Sequence, residues 1–169
     1  MAKMLPKSFF EEDAVSVAKK LIGKYLVRRR TGSTERFLIL ETEGYGGPED
    51  LASHARFGER GRSKIMFGPA GVWYVYLVYG IHEMLNIVTG KEKEAGAVLI
   101  RAVKGANGPG KLTKQLGIGR KLNGLRADRF SGFWFERGEE LLIKALPRVG
   151  VDYAGPIWSK KKYRFLAKE

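Results

Sequence analysis

The sequence predicts an α+β protein, a single domain over residues 1–169 built on a curved, mainly antiparallel β-sheet with flanking helices. Several short runs alternate apolar and polar residues, which is typical of strands with one buried face. One early segment instead repeats its apolar residues at helical spacing, and glycine-rich turns separate most of the runs. The length and the 44% apolar content suit one domain with a substantial core.

The first predicted elements are a helix and a β-hairpin. The helix lies between a capping residue, Asp13, and a glycine stop, Gly23. Its apolar face is formed by Ala14, Val17, Ala18, Leu21 and Ile22. Residues 25–30 and residues 36–42 flank the polar tetrad TGST and predict two paired strands. The second strand leads directly into Glu43, which therefore emerges at a strand end.

The middle of the chain predicts a short helix, a loop and a second hairpin. Pro48 and the two acidic residues after it favour the first turn of a helix. Residues 56–64 are basic and rich in glycine, and predict a loop. Residues 72–79 and residues 84–89 predict two strands around Gly80.

The remaining elements are one helix and four extended segments. A helix is predicted over residues 111–116. The extended segments are residues 97–103, 133–136, 141–145 and 163–166.

The charge of the chain indicates an anionic partner. Lys and Arg number 31 against 18 for Asp and Glu, which gives a formal net charge of +13. Nucleic acid is the leading candidate, because each phosphate that a basic residue neutralises releases counterions. A ribosomal or architectural protein would have the same balance, so the charge leaves an enzyme and a binding protein equally open.

The composition also narrows the chemistry. The chain has no cysteine and two histidines, so disulfides, thiolate nucleophiles and a transition-metal site are not expected. We expect no metal and no cofactor. The N-terminus shows no signal-like apolar run, and no stretch is long enough to span a membrane, so no membrane partner is expected. The expected location is the cytoplasm, near the nucleoid, in a prokaryote, or the nucleus in a eukaryote.

Glu43 is the first candidate for chemistry. Alternation along the strand places Glu41 and Glu43 on the same face, and a glycine-rich loop at residues 44–47 lets backbone approach a ligand. Carboxylates at a strand end are more often solvated or paired with arginines than catalytic. From these residues alone, both interpretations stay open.

The aromatic hairpin is the second candidate. Its alternating aromatic residues are ordinarily core. Tyr79, however, precedes the turn residue Gly80 and is hard to bury there. On a basic protein, a side chain in that position can act as a wedge between stacked bases.

Five segments together resemble one enzyme family. They are ETEGYGGPEDLASHA, MFGPAGVWYVYLVYGIHEMLN, VLIRAV, GPGKLTKQLGI and RVGVDYAG. Their order over residues 18–166 is similar to that of the alkyladenine (3-methyladenine) DNA glycosylases, the mammalian-type enzymes of base-excision repair. One segment alone is a weak signal, whereas the ordered set is highly specific. The resemblance implies a protruding β-hairpin that inserts into DNA.

The resemblance also implies roles for three residues in the reaction. Glu43 matches the glutamate that activates the attacking water, and Arg101 matches the arginine that helps to hold this water. Tyr79 matches the tyrosine that enters the minor groove and fills the space left by the flipped nucleotide. No lysine lies in the matched pocket segments, so a monofunctional enzyme is expected.

Four further residues match the pocket that receives the base. Tyr45 and Tyr76 match tyrosines that stack on the base, and Asn86 matches an asparagine that excludes guanine by crowding its amino group. His54 matches a pocket histidine, although a lone histidine near a helix end is more often a packing residue. His82 matches nothing in the family, and we expect it to face DNA from the turn.

The segment GANGPGKLT resembles a phosphate-binding Walker loop, but Leu112 occupies the position that needs Ser or Thr. We expect instead either a helix N-terminus that binds a DNA phosphate, with Lys111 adding charge, or a structural turn. Relatives carry a longer, largely helical connection before this segment, where only residues 104–107 remain here. The residues predicted to contact the DNA backbone are Lys111, Gly110, Arg60 and Arg62.

The sequence therefore predicts a monomeric DNA glycosylase that acts without a cofactor on double-stranded DNA containing a damaged purine. The alternative is a non-catalytic protein that recognises distorted DNA or structured RNA with the same hairpin.

Overall fold

A computed structural model describes residues 3–168 of the chain. Over these residues the protein has nine β-strands, three α-helices and five 3₁₀ helices. The strands are β1 (Tyr25–Arg30), β2 (Ser33–Tyr45), β3 (Trp73–Val78), β4 (His82–Val88), β5 (Ala97–Val103), β6 (Ala106–Asn107), β7 (Phe133–Glu136), β8 (Ile143–Leu146) and β9 (Arg164–Ala167). The α-helices are α1 (Ala14–Leu21), α2 (Pro109–Leu116) and α3 (Gly155–Trp158). The 3₁₀ helices are Lys7–Phe10, His54–Phe57, Gly61–Phe67, Arg120–Leu122 and Asp152–Ala154.

All nine strands join one antiparallel sheet with the central order β3-β4-β5-β2-β1-β7. The long strand β2 organises it, because its first half pairs with β1 and its second half lies between β5 and β9. Glu43 lies opposite Leu99 on β5 and opposite Arg164 on β9. The predicted α+β class with a mainly antiparallel sheet is confirmed.

Helix α1 packs its apolar face on this sheet, as its sequence predicts. The Asp13 carboxylate caps the helix by accepting a hydrogen bond from the Ser16 N–H at 3.0 Å. Val17 and Leu21 are fully buried in the main core, and each such side chain contributes about 1.5–3 kcal/mol. The Thr42 hydroxyl donates to the Ala18 carbonyl at 2.8 Å, which fixes the helix against the end of β2.

Three local predictions are wrong in extent or type. The first hairpin turns on Thr31 and Gly32 alone, since Arg30 already pairs with Ser33. No helix begins at Pro48, and the first helical turn after β2 is the 3₁₀ segment His54–Phe57. The predicted loop at residues 56–64 also runs into a 3₁₀ helix, Gly61–Phe67.

The other predicted elements are present, with shifts of one or two residues at several ends. The short connection after β5 forms a tight hairpin, because Ala106 and Asn107 of β6 pair back onto Val103 and Ala102. Helix α2 follows at once. Its N-terminus lies close to the β3–β4 hairpin, since Gly110 closely approaches the His82 side chain. None of the helices within residues 3–168 is long and apolar enough to cross a membrane.

Candidate active site

The seven residues that the sequence predicts for water activation, base binding and insertion all line one cavity of about 370 Å³. These residues are Glu43, Tyr45, His54, Tyr76, Tyr79, Asn86 and Arg101. They come from β2, β3, β4, β5, the hairpin tip and one 3₁₀ helix, so only the folded sheet brings them together. Further side chains of the cavity wall include Tyr74, Met84, Leu99, Val149 and Tyr153.

Glu43 is fully buried at the end of β2, so it is not one of the solvated carboxylates common at strand ends. Its Oε1 accepts a hydrogen bond from the Tyr45 hydroxyl at 2.8 Å, and its Oε2 accepts one from the Val149 N–H at 2.6 Å. The Arg101 Nη1 lies 3.5 Å from Oε1. Each oxygen of the carboxylate thus accepts a hydrogen bond from a neutral donor, and Arg101 supplies a positive charge beside Oε1.

Burial raises the pKa of Glu43 above its ordinary value of 4.5. The Arg101 charge, the Val149 N–H and the Tyr45 hydroxyl all favour the ionised form, but they offset only part of the burial. A carboxylate with a raised pKa is a stronger base than a solvated one. The site therefore holds a carboxylate that is suited to take a proton.

Glu41 lies on the same face as Glu43, as alternation predicts, although the β2–β5 register shifts at this residue. Its Oε2 lies 3.3 Å from the Arg101 Nε and 3.1 Å from the Arg164 Nη1. Arg101 therefore bridges two carboxylates. This arrangement fixes the guanidinium beside Glu43 from two directions.

An aromatic wall faces these carboxylates across the cavity. The Tyr76 ring meets the His54 ring edge-on at 4.7 Å and lies 5.0 Å from the Tyr74 ring. Burial raises the pKa of Tyr76 to about 12, and burial also raises the pKa of Tyr45 well above its ordinary value. The phenols of Tyr45 and Tyr76 are therefore neutral and present flat, apolar faces.

His54 begins the 3₁₀ helix whose capping residue is Ser53, and its ring turns inward. Burial, with the nearby charges of Arg62 and Arg56, lowers the pKa of His54 to about 4. Its Nδ1 lies 2.8 Å from the Tyr74 hydroxyl. Because burial keeps Tyr74 protonated, this hydroxyl can donate to Nδ1, and the ring proton then lies on Nε2. Sequence reasoning missed Tyr74, although alternation places it on the same face as Tyr76.

Asn86 is buried on β4, where it pairs with Tyr74 across the β3–β4 ladder. Its Nδ2 donates to the Tyr74 carbonyl at 3.2 Å and to the Met84 carbonyl at 3.3 Å. These two bonds hold the amide group in one orientation against the cavity.

The tip of the β3–β4 hairpin projects into solvent. Tyr79 is 91% exposed and Ile81 is 72% exposed. The φ angles of Tyr79 and Gly80 are 52° and 66°, and the Ile81 N–H donates to the Val78 carbonyl at 3.1 Å. These features define a type I′ turn, in which both central residues need positive φ. The turn presents the Tyr79 ring at the mouth of the cavity.

The four residues predicted to contact the DNA backbone are absent from the lining of the cavity. Lys111 is exposed in the first turn of α2, next to Gly110. A Cβ on Gly110 would lie 2.7 Å from the Nδ1 of His82, an exposed residue, so glycine permits the helix to approach the hairpin. Leu112, at the position where a Walker loop needs Ser or Thr, is fully buried in the core, so this segment is not a Walker loop.

Arg60 and Arg62, next to and within the 3₁₀ helix Gly61–Phe67, are both exposed. The Arg62 guanidinium lies 5.2 Å from the centre of the Tyr76 ring, so it reaches the cavity wall. Arg60 instead donates from Nε to the Phe57 carbonyl at 3.0 Å.

Sequence reasoning also missed a buried ion pair between Asp50 and Arg148. It assigned Asp50 to the first turn of a helix, but the carboxylate accepts hydrogen bonds from the Gly46 and Ala52 N–H groups and folds the segment into a turn. Arg148 lies within RVGVDYAG, a segment that the sequence marks only by its resemblance to the family.

Over residues 3–168, no group of three or more His, Cys, Asp or Glu side chains is placed to hold a metal ion.

Known proteins resemble this chain along most of its length. The family model for methylpurine-DNA glycosylase matches residues 8–106 and 103–169. A relative from Anaeromyxobacter sp. (strain Fw109-5) is 43% identical over 95% of this chain and 87% of its own length. One from Legionella pneumophila (strain Corby) is 40% identical over 99% of this chain and 96% of its own. Both are provisionally named 3-methyladenine DNA glycosylase. The chain therefore belongs to the methylpurine-DNA glycosylase family and is a DNA glycosylase, a hydrolase.

Proposed function

We propose that this protein is a monofunctional glycosylase that flips an alkylated or deaminated purine out of duplex DNA and hydrolyses its N-glycosidic bond, leaving an abasic site. The observation that carries the proposal is the cavity, in which a fully buried carboxylate faces aromatic rings beneath an exposed tyrosine. A base inside a duplex is out of reach of such a cavity, so it must leave the stack at a cost of a few kcal/mol. Tyr79 offsets part of this cost by filling the gap.

The cavity suits an extruded purine. Tyr45 and Tyr76 provide the faces on which the base stacks, and such contacts are worth about 1–3 kcal/mol per base. Neutral phenols also favour purines alkylated at N3 or N7, because these carry a positive charge. Asn86 holds its amide against the cavity and crowds the amino group of guanine.

Glu43 acts as the general base. It takes a proton from a water molecule that attacks C1′ of the sugar, while the bond to the base breaks and its electron pair leaves with the purine. The anion also stabilises the positive charge that develops on the sugar. Arg101 helps to hold the water and keeps Glu43 ionised. Among the described residues that line the cavity there is no lysine, which supports hydrolysis rather than a Schiff-base lyase reaction.

A base-release panel tests the proposal. The protein is incubated with duplexes that carry hypoxanthine, ethenoadenine, 3-methyladenine or 7-methylguanine, and free base is measured. We expect release of at least one damaged purine and none of undamaged bases. Binding of a lesion without release from any duplex would instead support the non-catalytic alternative.

A monomer suffices for this reaction, because every assigned residue of the cavity comes from one chain. Analytical ultracentrifugation with and without a lesion duplex tests this, and a 1:1 complex is the expected result.

A further inference from the structure

We propose that Asp50 and Arg148 are positioning residues, which hold both neutral hydrogen-bond donors against the carboxylate of Glu43. This inference rests on the proposed function, in which Glu43 takes a proton from water. It concerns two residues that lie behind the cavity wall and are absent from its lining.

The two side chains form a bidentate ion pair across 98 residues of chain. The Arg148 Nη1 lies 2.6 Å from Asp50 Oδ2, and its Nη2 lies 3.0 Å from Oδ1. The side chains are 0% and 1% exposed. A buried pair of this kind seldom stabilises a fold more than apolar residues of similar volume would. We therefore assign the pair a role in orientation, because two parallel hydrogen bonds fix the plane of the guanidinium.

Arg148 fixes the first donor, the Tyr45 hydroxyl. The guanidinium lies 4.8 Å from the centre of the Tyr45 ring and 5.0 Å from that of Tyr163, and its Nη1 also donates to the Gly44 carbonyl at 3.0 Å. Asp50 closes the turn after Tyr45 by accepting from the Gly46 N–H at 2.9 Å. The Tyr45 ring is thus held at its face and at its backbone.

Arg148 fixes the second donor through the chain itself. Val149 follows it directly, and the Val149 N–H donates to Glu43 Oε2 at 2.6 Å. This residue lies in the connection between β8 and the 3₁₀ helix Asp152–Ala154, outside the hydrogen bonds of the sheet. The side chain of Arg148 anchors the connection to Asp50 and, at 3.3 Å, to the Trp158 carbonyl. Both oxygens of Glu43 therefore depend on groups that Arg148 holds.

The test uses Asp50→Asn and Arg148→Lys, each of which weakens the bidentate contact. We expect the single-turnover excision rate to fall about 10- to 100-fold, as a displacement of about 1 Å in a reactive site can cost. Affinity for the lesion duplex should change by less than about threefold, which is under 1 kcal/mol. Arg36→Lys is the matched control, because Arg36 of β2 pairs at 2.7 Å with the buried Glu136 of β7, and neither residue lines the cavity. It should lower the melting temperature and leave excision unchanged.

The pH profile supplies a readout that a loss of stability alone would not move. The groups that face Glu43 are Arg101 from β5, the Arg148 charge, the Tyr45 and Tyr76 phenols, and the Val149 N–H. In Arg148→Lys, which keeps the positive charge, displacing Tyr45 and Val149 removes two donors that favour the ionised carboxylate, so the acidic limb of the rate profile should move to higher pH. Arg36→Lys should not move it.

The outcomes separate this inference from the proposed function. An unchanged rate in folded Asp50→Asn overturns the inference, and so does a loss of affinity as large as the loss of rate. Asp50→Asn retains an acceptor oxygen, so it decides the question if Arg148→Lys fails to fold. Glu43→Gln is measured beside both variants. Full turnover in Glu43→Gln overturns the proposed function, whereas inactive Glu43→Gln with fully active Asp50→Asn overturns only the inference.

Discussion

Replacing Glu43 by Gln should abolish excision while leaving the fold at least as stable. Loss of a general base costs about 10²- to 10⁴-fold in rate, which is about 2.7–5.5 kcal/mol of transition-state stabilisation. The amide oxygen of Gln can still accept from the Val149 N–H, which lies 2.6 Å from Oε2 in the native protein. Its NH₂ group then faces the Tyr45 hydroxyl, which can accept as well as donate.

The stability part of this prediction follows from the raised pKa of Glu43. Between its ordinary value of 4.5 and its higher pKa in the folded protein, the native state binds more protons than the unfolded chain. Stability due to this group therefore falls as the pH rises through that interval, and the loss persists at neutral pH. Gln does not ionise, so the variant avoids this loss.

Single-turnover excision of a hypoxanthine or methylated-purine duplex measures the rate, and thermal unfolding at pH 7 measures the stability. Lesion binding, measured by fluorescence anisotropy, should persist. Excision within tenfold of the native rate would reject Glu43 as the base. A melting temperature well below the native value would refute the argument from burial.

Other predictions concern the hairpin, two titrations and the DNA backbone. Tyr79→Ala should leave the melting temperature unchanged, because the side chain is 91% exposed, and weaken duplex binding by about 1–3 kcal/mol; a larger loss on a pre-flipped base than on a duplex would contradict its role. The excision rate should rise with pH through the pKa of Glu43, which burial places above 4.5, and a flat profile would count against general-base catalysis. By NMR the His54 ring should stay neutral down to about pH 4, so that stability falls as the pH drops from 6.5 towards 4, and titration near 6.5 would show that the ring is solvated. Lys111→Ala should reduce the slope of log affinity against log salt by about 0.9, equally for damaged and undamaged duplexes, if the side chain neutralises one phosphate.

Elements with a strong local pattern could be predicted from the sequence. Helix α1 has a capping side chain and a complete apolar face, and β5 is apolar at every position except Arg101, so the sequence predicts β5 at its observed bounds. The strand start at Ser33 was missed because residues 33–36 are polar and largely exposed, which leaves no apolar alternation to detect.

The candidate site shows a different limit. Its residues are spread from β2 to β5, and no periodicity indicates that they converge, so resemblance to a family was the only sequence signal for the full set. The sequence wrongly predicts a helical turn at Asp50, because its partner, Arg148, lies 98 residues away and no local pattern indicates the ion pair. Val149 was missed because it acts through its backbone N–H, which any residue except proline supplies.

The positive φ of Tyr79 has a consequence for engineering. Non-glycine residues in this region cost about 1 kcal/mol or more, and Asn before Gly is the pair that a type I′ turn favours. Tyr79→Asn is therefore the exchange that a stability-guided redesign or a turn-propensity filter would select first. It would also remove the aromatic ring from the hairpin tip. A thermostabilised form of this protein should keep Tyr79 and gain its stability elsewhere, since position 79 is one where the most stable turn and a DNA-inserting side chain require different residues.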